Sequence, residues 1–323
     1  MRKLMGVLAA LLGLCVPLAQ AQVATPELAP AGLRVYDSRF PISPMINIVP
    51  ENPAAMQWGA PSRIGVGLLD GNKSDAFDGV SSSYDGNFGG FRWVRQRFSL
   101  GAETGGFTVE FPGAPPLARL EKKQSSFALA FSWPESLAIG LATHKWTDDT
   151  LSPPGGQRDT LEFSSWTAGL SWRLGETFFV AGAFGQEDFQ RTFPAVPGTE
   201  GRDHYMAGLG LRGGGTLIWR LEVDTFHHDD FKDPVNMGFA PGYDLNQFSA
   251  EGILGGWLLG GAAYDLKGLQ PMAPSISGYS LDVGYAPLTG LTLTWRYEHS
   301  EKNAGGTPIS KEELNNAVVT WQF

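Results

Sequence analysis

The chain has 323 residues and a formal net charge of −9, and it is rich in glycine (42 residues) and aromatic side chains (12%). The acidic balance argues against nucleic acid as a partner, and the low share of charged residues (18%) beside so many glycines favours an all-β chain with many turns. Beyond residue 21, no uninterrupted apolar run reaches the roughly 20 residues that a transmembrane helix needs.

Residues 1–21 have the pattern of a secretory signal peptide. Arg2 and Lys3 precede an apolar stretch, and an Ala-Gln-Ala cleavage site ends at Ala21. Without Arg2 and Lys3, 22 of the 24 basic residues remain against 33 acidic ones, a net charge of −11. The only cysteine, Cys15, lies inside the signal, so we expect no disulfide and no cysteine-based metal site in the mature chain.

Residues 22–60 do not alternate as a strand would. They are rich in proline and could form an ordered, irregular plug or a disordered periplasmic tail. They carry many apolar side chains, which disordered segments usually lack, so we favour a plug packed against the rest of the protein. Asn52, Pro53 and Ala54 stand near the end of this segment. Pro53 fixes its own φ and keeps Asn52 out of helical space, and the Asn52 side chain is suited to cap a turn.

From Arg63 onward, apolar and polar residues alternate with the period of a β-strand. Residues 70–90 are polar and glycine-rich, and we predict a loop there. The predicted strands are 63–69, 91–101, 107–111, 124–133, 137–142, 160–172, 177–190, 204–212, 217–224, 247–254, 257–267, 278–288, 291–298 and 311–323. This gives about 14 strands, or about 12 if the weak predictions near Gly105 and Gly106 merge, and both counts fit the even-number rule for bacterial barrels.

Connections of two lengths alternate along the chain. The tight ones are 134–136, 174–176, 213–216, 255–256 and 289–290, and the longer ones are 146–159, 191–202, 231–243, 268–276 and 304–310. Short periplasmic turns and long extracellular loops produce this asymmetry in transmembrane β-barrels. The pattern therefore predicts an antiparallel up-and-down barrel with the short turns in the periplasm.

Aromatic residues near strand ends favour a membrane barrel over a soluble periplasmic β-sandwich or barrel, which would alternate equally well. They fit the interfacial girdles of membrane barrels, and they are Trp133, Trp172, Trp219, Tyr285, Trp295 and Trp321. The last strand ends in Phe323, and a terminal aromatic after alternating Trp321 resembles the C-terminal signature of outer-membrane barrels. We expect Trp321 and Phe323 to serve barrel assembly.

These features together resemble the FadL-type outer-membrane transporters of long-chain fatty acids and other hydrophobic compounds. In that family an N-terminal segment folds into the lumen as a hatch and ends in an Asn-Pro-Ala motif, here Asn52, Pro53 and Ala54. The resemblance implies a hatch over residues 22–60 and a 14-stranded barrel over 61–323. It also implies passive transport of hydrophobic small molecules, with membrane lipid, the substrate and the barrel assembly machinery as partners. A general porin or a structural barrel is the alternative.

Charged residues at inward positions of the predicted strands form a second group of candidate residues. We expect opposite charges on neighbouring strands to pair, since unpaired buried charge is costly; a role in lining the passage or holding the hatch is the functional alternative. The predicted inward residues are Arg212, Arg220, Glu222, Asp224, Glu251, Asp265, Lys267, Asp282, Arg296 and Glu298.

The sequence predicts neither a metal site nor an enzyme. His227 and His228 precede two aspartates, but adjacent strand residues point to opposite faces, so these histidines are not expected to share an ion. The chain has five histidines and no Gly-x-Ser-x-Gly, Walker A, His-Glu-x-x-His or dinucleotide-binding motif. We therefore expect no catalytic residues and no cofactor.

Overall fold

A computed structural model describes residues 49–50, 52–58, 62–75, 81–111, 118–133, 136–152, 157–191, 200–230, 242–270, 273–288, 290–304 and 306–322. The predicted signal peptide, most of the predicted hatch and Phe323 lie outside these ranges. A short 3-10 helix, Pro53–Gln57, precedes fourteen strands. Within the described ranges, no helix is long and apolar enough to cross a membrane.

The strands are long and follow one another in sequence. They are β1 (Arg63–Asp75), β2 (Ser81–Arg95), β3 (Phe98–Phe111), β4 (Ala118–Ser132), β5 (Leu137–Ser152), β6 (Gln157–Leu174), β7 (Phe178–Arg191), β8 (Glu200–Gly213), β9 (Leu217–His228), β10 (Tyr243–Leu254), β11 (Trp257–Gly268), β12 (Ser275–Leu288), β13 (Leu291–Ala304) and β14 (Thr307–Gln322).

Each strand pairs antiparallel with its sequence neighbours, and β1 pairs with β14 to close the barrel. The closing register places Ile64 opposite Trp321 and Val66 opposite Val319. Closure satisfies the backbone of every strand and leaves no sheet edge, which is what a barrel in lipid requires. The larger predicted count, fourteen strands, is confirmed.

The two ends of the barrel differ in their connections. The end at which β1 begins, here called the short-turn end, carries turns such as 96–97, 175–177 and 255–256. The opposite end, the long-loop end, carries 112–117, 192–199 and 229–242. Two predicted long loops are wrong. Strands cover most of 146–159, because β5 continues to Ser152 and β6 begins at Gln157, and in 304–310 β13 and β14 meet in a tight turn in which Gly306 has φ +82°.

The predicted loop at 70–90 is also wrong, because β1 continues to Asp75 and β2 starts at Ser81. Two of its glycines fit inside the barrel beneath large neighbours: a Cβ on Gly71 would lie 2.4 Å from Leu314, and one on Gly86 would lie 2.5 Å from Phe107. The predicted strand 91–101 instead spans the turn between β2 and β3, where Gln96 has φ 51°.

The outer surface is apolar around the whole barrel, which excludes a soluble sandwich. Ile64, Leu141, Val223 and Leu259 are 52%, 52%, 56% and 60% exposed and stand on widely separated strands. All six residues predicted to form aromatic girdles are exposed as well, Trp321 among them. A continuous apolar belt of this kind fits lipid rather than water.

Candidate functional site in the barrel lumen

A short helical turn, residues 52–58, lies inside the barrel and is here called the docked turn. Asn52 caps it: its Oδ1 accepts a hydrogen bond from the Ala54 amide at 3.1 Å, and Pro53 occupies the first helical position. The Asn52 Nδ2 group donates to the Leu170 carbonyl of β6 at 3.0 Å. Asn52, Ala54 and Met56 are completely buried, so the motif lies packed inside the lumen.

Two paired glycines in the wall make room for this turn. Gly140 of β5 lies directly opposite Gly169 of β6. A Cβ on Gly169 would lie 2.0 Å from the Asn52 Oδ1 atom, and one on Gly140 would lie 2.6 Å from the Ala54 nitrogen. Only glycine admits so close an approach of two backbones. We call this pair the glycine cradle.

The far end of the docked turn is held by a second set of contacts. The Gln57 Nε2 group donates to the Ala130 carbonyl at 3.0 Å and to Ser99 Oγ at 3.1 Å. Upstream, the Val49 amide approaches Glu103 Oε2 at 3.5 Å. These contacts attach the turn to β3, β4, β5 and β6, toward the short-turn end of the lumen.

An apolar cluster continues from the docked turn toward the long-loop end. It covers the inner faces of β1 to β5 and of β14, and its residues are Val49, Met56, Leu69, Tyr84, Phe88, Phe107, Val109, Leu120, Ala128, Ala130, Ala142 and Leu314. All are buried, and Tyr84 and Phe107 pack with ring centroids 6.0 Å apart. The inner wall formed by these strands is therefore apolar between the docked turn and the long-loop end.

A second apolar cluster faces it from β8 to β12. Its residues are Met206, Phe226, Tyr243, Leu245, Tyr264, Leu266 and Ile276. Beside it the rings of His204, His228 and Tyr243 form a cross-strand stack, with centroids 5.0 and 4.7 Å apart and planes within 12°. This stack could not be predicted from the sequence, since it depends on the register between strands.

A buried ion pair borders the stack. The Arg202 Nε group donates to Glu187 Oε2 at 2.7 Å, and His228 Nδ1 lies 3.4 Å from the same oxygen. The Thr167 hydroxyl contacts His204 Nε2 at 3.0 Å. Glu187 and Arg202 were not among the predicted lumen residues, although they lie on the same faces of their strands as Phe189 and Met206, which point inward.

Most of the predicted polar lumen residues lie inward on β9 to β13. Arg220 Nη2 is 3.5 Å from Glu222 and 3.4 Å from Glu251, which stands directly opposite it. The Arg296 guanidinium binds both Asp282 carboxylate oxygens, with Nη2 at 3.0 Å from Oδ2.

Three further predicted residues also have inward positions. Glu298 accepts a hydrogen bond from the Tyr264 hydroxyl at 3.3 Å, and Asp224 is buried on β9. Arg212 is half-buried at the short-turn end opposite Arg220, and it joins no ion pair among the residues that the structure describes.

Two residues predicted to face inward, Asp265 and Lys267, face outward instead. They pair with each other at 3.1 Å, with Lys267 exposed and Asp265 about half exposed, while Tyr264 and Leu266 point into the lumen. Near the long-loop end, outward side chains lie beyond the apolar belt, where a charged group loses little solvation. The pattern of apolar outward and polar inward residues is therefore reversed there.

The two adjacent histidines point to opposite faces. His228 is buried in the lumen, whereas His227 faces outward, with Asp244 Oδ1 at 2.6 Å and Asp229 Oδ1 at 2.9 Å from its ring nitrogens. The His227 ring also stacks on Tyr205, with centroids 4.5 Å apart. Among the described residues, no group of three or more potential ligands is placed to hold a metal ion.

Comparison with solved structures gives barrels of the same architecture. The CymD monoaromatic hydrocarbon channel is 13% identical with a TM-score of 0.60, over 88% of this chain and 95% of that one. A Pseudomonas aeruginosa FadL homologue is 12% identical with a TM-score of 0.56, over 94% and 99%. The Ralstonia pickettii toluene transporter TbuX is 14% identical with a TM-score of 0.56, over 91% and 96%.

No protein-family model and no curated protein matches the sequence. The structural similarity nevertheless extends over nearly the full length of both chains in each of the three comparisons. At these identities it establishes the architecture of the barrel rather than the cargo. The chain therefore has the fold of the FadL-type outer-membrane transporters.

Proposed function

We propose that this protein is a passive conduit for hydrophobic small molecules across the bacterial outer membrane. The observation that carries the proposal is the arrangement of the lumen: an apolar cluster lies on the long-loop side of a turn anchored to the inner wall. A hydrophobic solute entering from that side would meet apolar surface first and the docked turn next. Burying apolar surface favours entry by about 25 cal/mol per Å².

Passive passage also requires that the solute can leave. Binding must be favourable enough for entry and weak enough for release. The polar residues near the docked turn, among them Ser99 and Glu103, interrupt the apolar lining toward the short-turn end. We propose that a solute moves along the apolar lining and passes when residues 49–58 leave the wall or when the wall beside them opens.

We further propose that Asn52, Pro53 and Ala54 hold the hatch, which extends over residues 22–60. Their role rests on the glycine cradle and on the hydrogen bonds of Asn52. Long-chain fatty acids are the first cargo to test. Toluene is the second, because similar structures are named as a toluene transporter and a monoaromatic hydrocarbon channel.

We also propose a route to the membrane. Residues 1–21 act as the export signal with cleavage after Ala21, and the barrel assembly machinery recognises β14, the strand that closes on β1. Trp321 is 55% exposed on that strand and fits the lipid-facing side of the closing seam. The short-turn end then faces the periplasm, as is usual for bacterial barrels.

A general porin is the second candidate, and the charged inner faces of β9 to β13 favour it. The test is uptake by cells that lack their own hydrophobic-compound transporters. Expression of this protein should raise the initial uptake of labelled oleate or toluene severalfold and leave entry of a hydrophilic antibiotic unchanged. Faster antibiotic entry without hydrophobic uptake would favour the porin.

A pair of matched variants assigns the uptake to the lumen. Ala142 is buried in the first apolar cluster, whereas Ala207 is exposed on the outer face of β8. Ala142→Trp should abolish the gain in uptake and Ala207→Trp should preserve it, provided that both proteins show the heat-shifted migration of folded barrels. Equal uptake by the two variants would contradict a lumen route.

A further inference from the structure

The outer surface of the barrel carries an open groove of about 370 Å³ across β4 to β7. Its outward-facing walls are formed by exposed side chains on three of these strands. They are Ser125, Phe127, Thr143, Lys145, Ser164 and Trp166. The groove therefore opens on the outer face of the barrel, and the intervening residues Ser126, His144 and Ser165 also border it.

The strand register arranges these residues in two rows of different chemistry. Toward the long-loop end, Lys145 lies directly between Ser125 and Ser164 on the flanking strands. One row nearer the short-turn end, Thr143 lies directly between Phe127 and Trp166. The short side chain of Thr143 leaves a slot between the two rings. The Lys145 ammonium group, between two serine hydroxyls, lies next to this slot on the side of the long-loop end.

The rings that bound the slot are exposed yet supported. Phe127 and Trp166 are 44% and 37% exposed, and Trp166 packs edge-on against Phe184 of β7 with centroids 5.8 Å apart. A supported aromatic wall loses little freedom when an apolar chain enters beside it. The slot suits a hydrocarbon chain.

The groove lies where the outer surface changes from apolar to charged. On the side nearer the short-turn end, the same strands present three exposed leucines, Leu129, Leu141 and Leu170. On the side nearer the long-loop end, they present Lys123 and Glu162, both in ion pairs. With the long-loop end outside the cell, this boundary is the head-group level of the outer leaflet.

The hydroxyl and ammonium groups at this level favour a polar partner. Lys145 pairs with Glu162 at 2.6 Å, but both side chains are about half exposed, and such pairs are weak and exchange readily. A phosphate oxygen would offer the ammonium a charge-assisted hydrogen bond. Asp188, at the edge of the groove beside Ser164, can accept a hydrogen bond from a sugar hydroxyl.

We propose that this groove binds one outer-leaflet glycolipid with a phosphorylated sugar head group. One acyl chain lies over Thr143 between Phe127 and Trp166, and the head group contacts Ser125, Lys145 and Ser164. The continuity of the slot with the lipid-facing belt identifies the source of this amphipathic ligand as the surrounding leaflet. The site rests on the orientation of the barrel in the outer membrane and is independent of what the lumen carries.

Native mass spectrometry of the full-length protein tests the site. The protein is exchanged into nanodiscs containing either rough lipopolysaccharide or phosphatidylglycerol, and the lipid retained after release is counted. We expect one retained glycolipid, and at least tenfold less retained phosphatidylglycerol, which has the phosphate but no sugar. Thr143→Phe fills the slot and should reduce glycolipid retention tenfold or more, and Lys145→Gln should reduce it severalfold.

Ala207→Phe is the matched control, since it adds a ring at another exposed outward position and should retain the glycolipid as the wild type does. Heat-shifted migration establishes that each variant is folded, and Lys145→Gln keeps the test informative if Thr143→Phe does not fold. Equal retention of both lipids by the wild type would overturn the proposal and indicate ordinary annular contact. Equal loss in Thr143→Phe and Ala207→Phe would overturn it too.

Discussion

Replacing Gly140 or Gly169 with alanine should release the docked turn from the barrel wall. The new Cβ of Gly169→Ala would lie 2.0 Å from Asn52 Oδ1 and 2.9 Å from the Pro53 Cδ atom. The new Cβ of Gly140→Ala would lie 2.6 Å from both the Ala54 nitrogen and the Pro53 carbonyl carbon. Because the second set is backbone, no side-chain rotation relieves the contact, and the whole turn must move.

The size of the effect follows from two terms. Overpacking a close-fitted site costs about 1–3 kcal/mol, and a hydrogen bond such as that from Asn52 to the Leu170 carbonyl, 3.0 Å long, contributes about 1 kcal/mol. Together they shift the balance between docked and released turn by about 2–4 kcal/mol, which is on the order of 30- to 1000-fold. The strands keep all their ladder bonds, so the barrel itself should remain folded.

Single-channel recording in planar bilayers measures this shift. Brief openings should become more frequent in Gly140→Ala and Gly169→Ala by a factor in that range, until the open state dominates. Gly182→Ala is the matched control, because Gly182 stands on the neighbouring strand β7 and a Cβ there meets nothing closer than a carbonyl oxygen at 3.5 Å. Closed behaviour in both cradle variants, indistinguishable from Gly182→Ala, would refute this account of the anchor.

Three further outcomes follow from the same structure. Trp321→Ser should lower the amount of heat-resistant folded protein, because the closing strand loses an exposed lipid-facing ring; unchanged levels would contradict its role in assembly. An impermeant thiol reagent on whole cells should label a cysteine placed in 231–241 but not Gly214→Cys, and the reverse would invert the orientation. Arg220→Met should destabilise the barrel by about 3–5 kcal/mol, because it removes the cation that pairs with buried Glu222 and Glu251, whereas Arg212→Met should cost far less; equal midpoints in denaturant would refute the pairing.

The sequence predicts the barrel well where one face of a strand meets lipid. On β9, Leu217, Trp219, Leu221 and Val223 alternate with Ile218, Arg220 and Glu222, and the structure places the first four outward. The prediction fails at the long-loop end, where outward residues such as Lys267 meet head groups or water and inward residues such as Leu266 line the lumen. The rule that apolar means outward then no longer holds.

The interior could be predicted only in part. The Asn-Pro-Ala motif can be recognised in the sequence, but the glycine cradle that receives it cannot. Gly140 and Gly169 become neighbours only through the register of β5 and β6. The same limit applies to the stack of His204, His228 and Tyr243, whose members come from three strands. Alternation gives the face on which each residue lies and leaves its partner across the strands undetermined.

The most direct test of a plugged barrel is the conductance of the protein with and without residues 22–58 in planar bilayers. The full-length protein should conduct almost no current. The truncated protein should fold and conduct at a steady open level, because strands β1 to β14 remain intact and the docked turn is gone. Free conductance by the full-length protein, with no change on truncation, would contradict the account and favour a general porin.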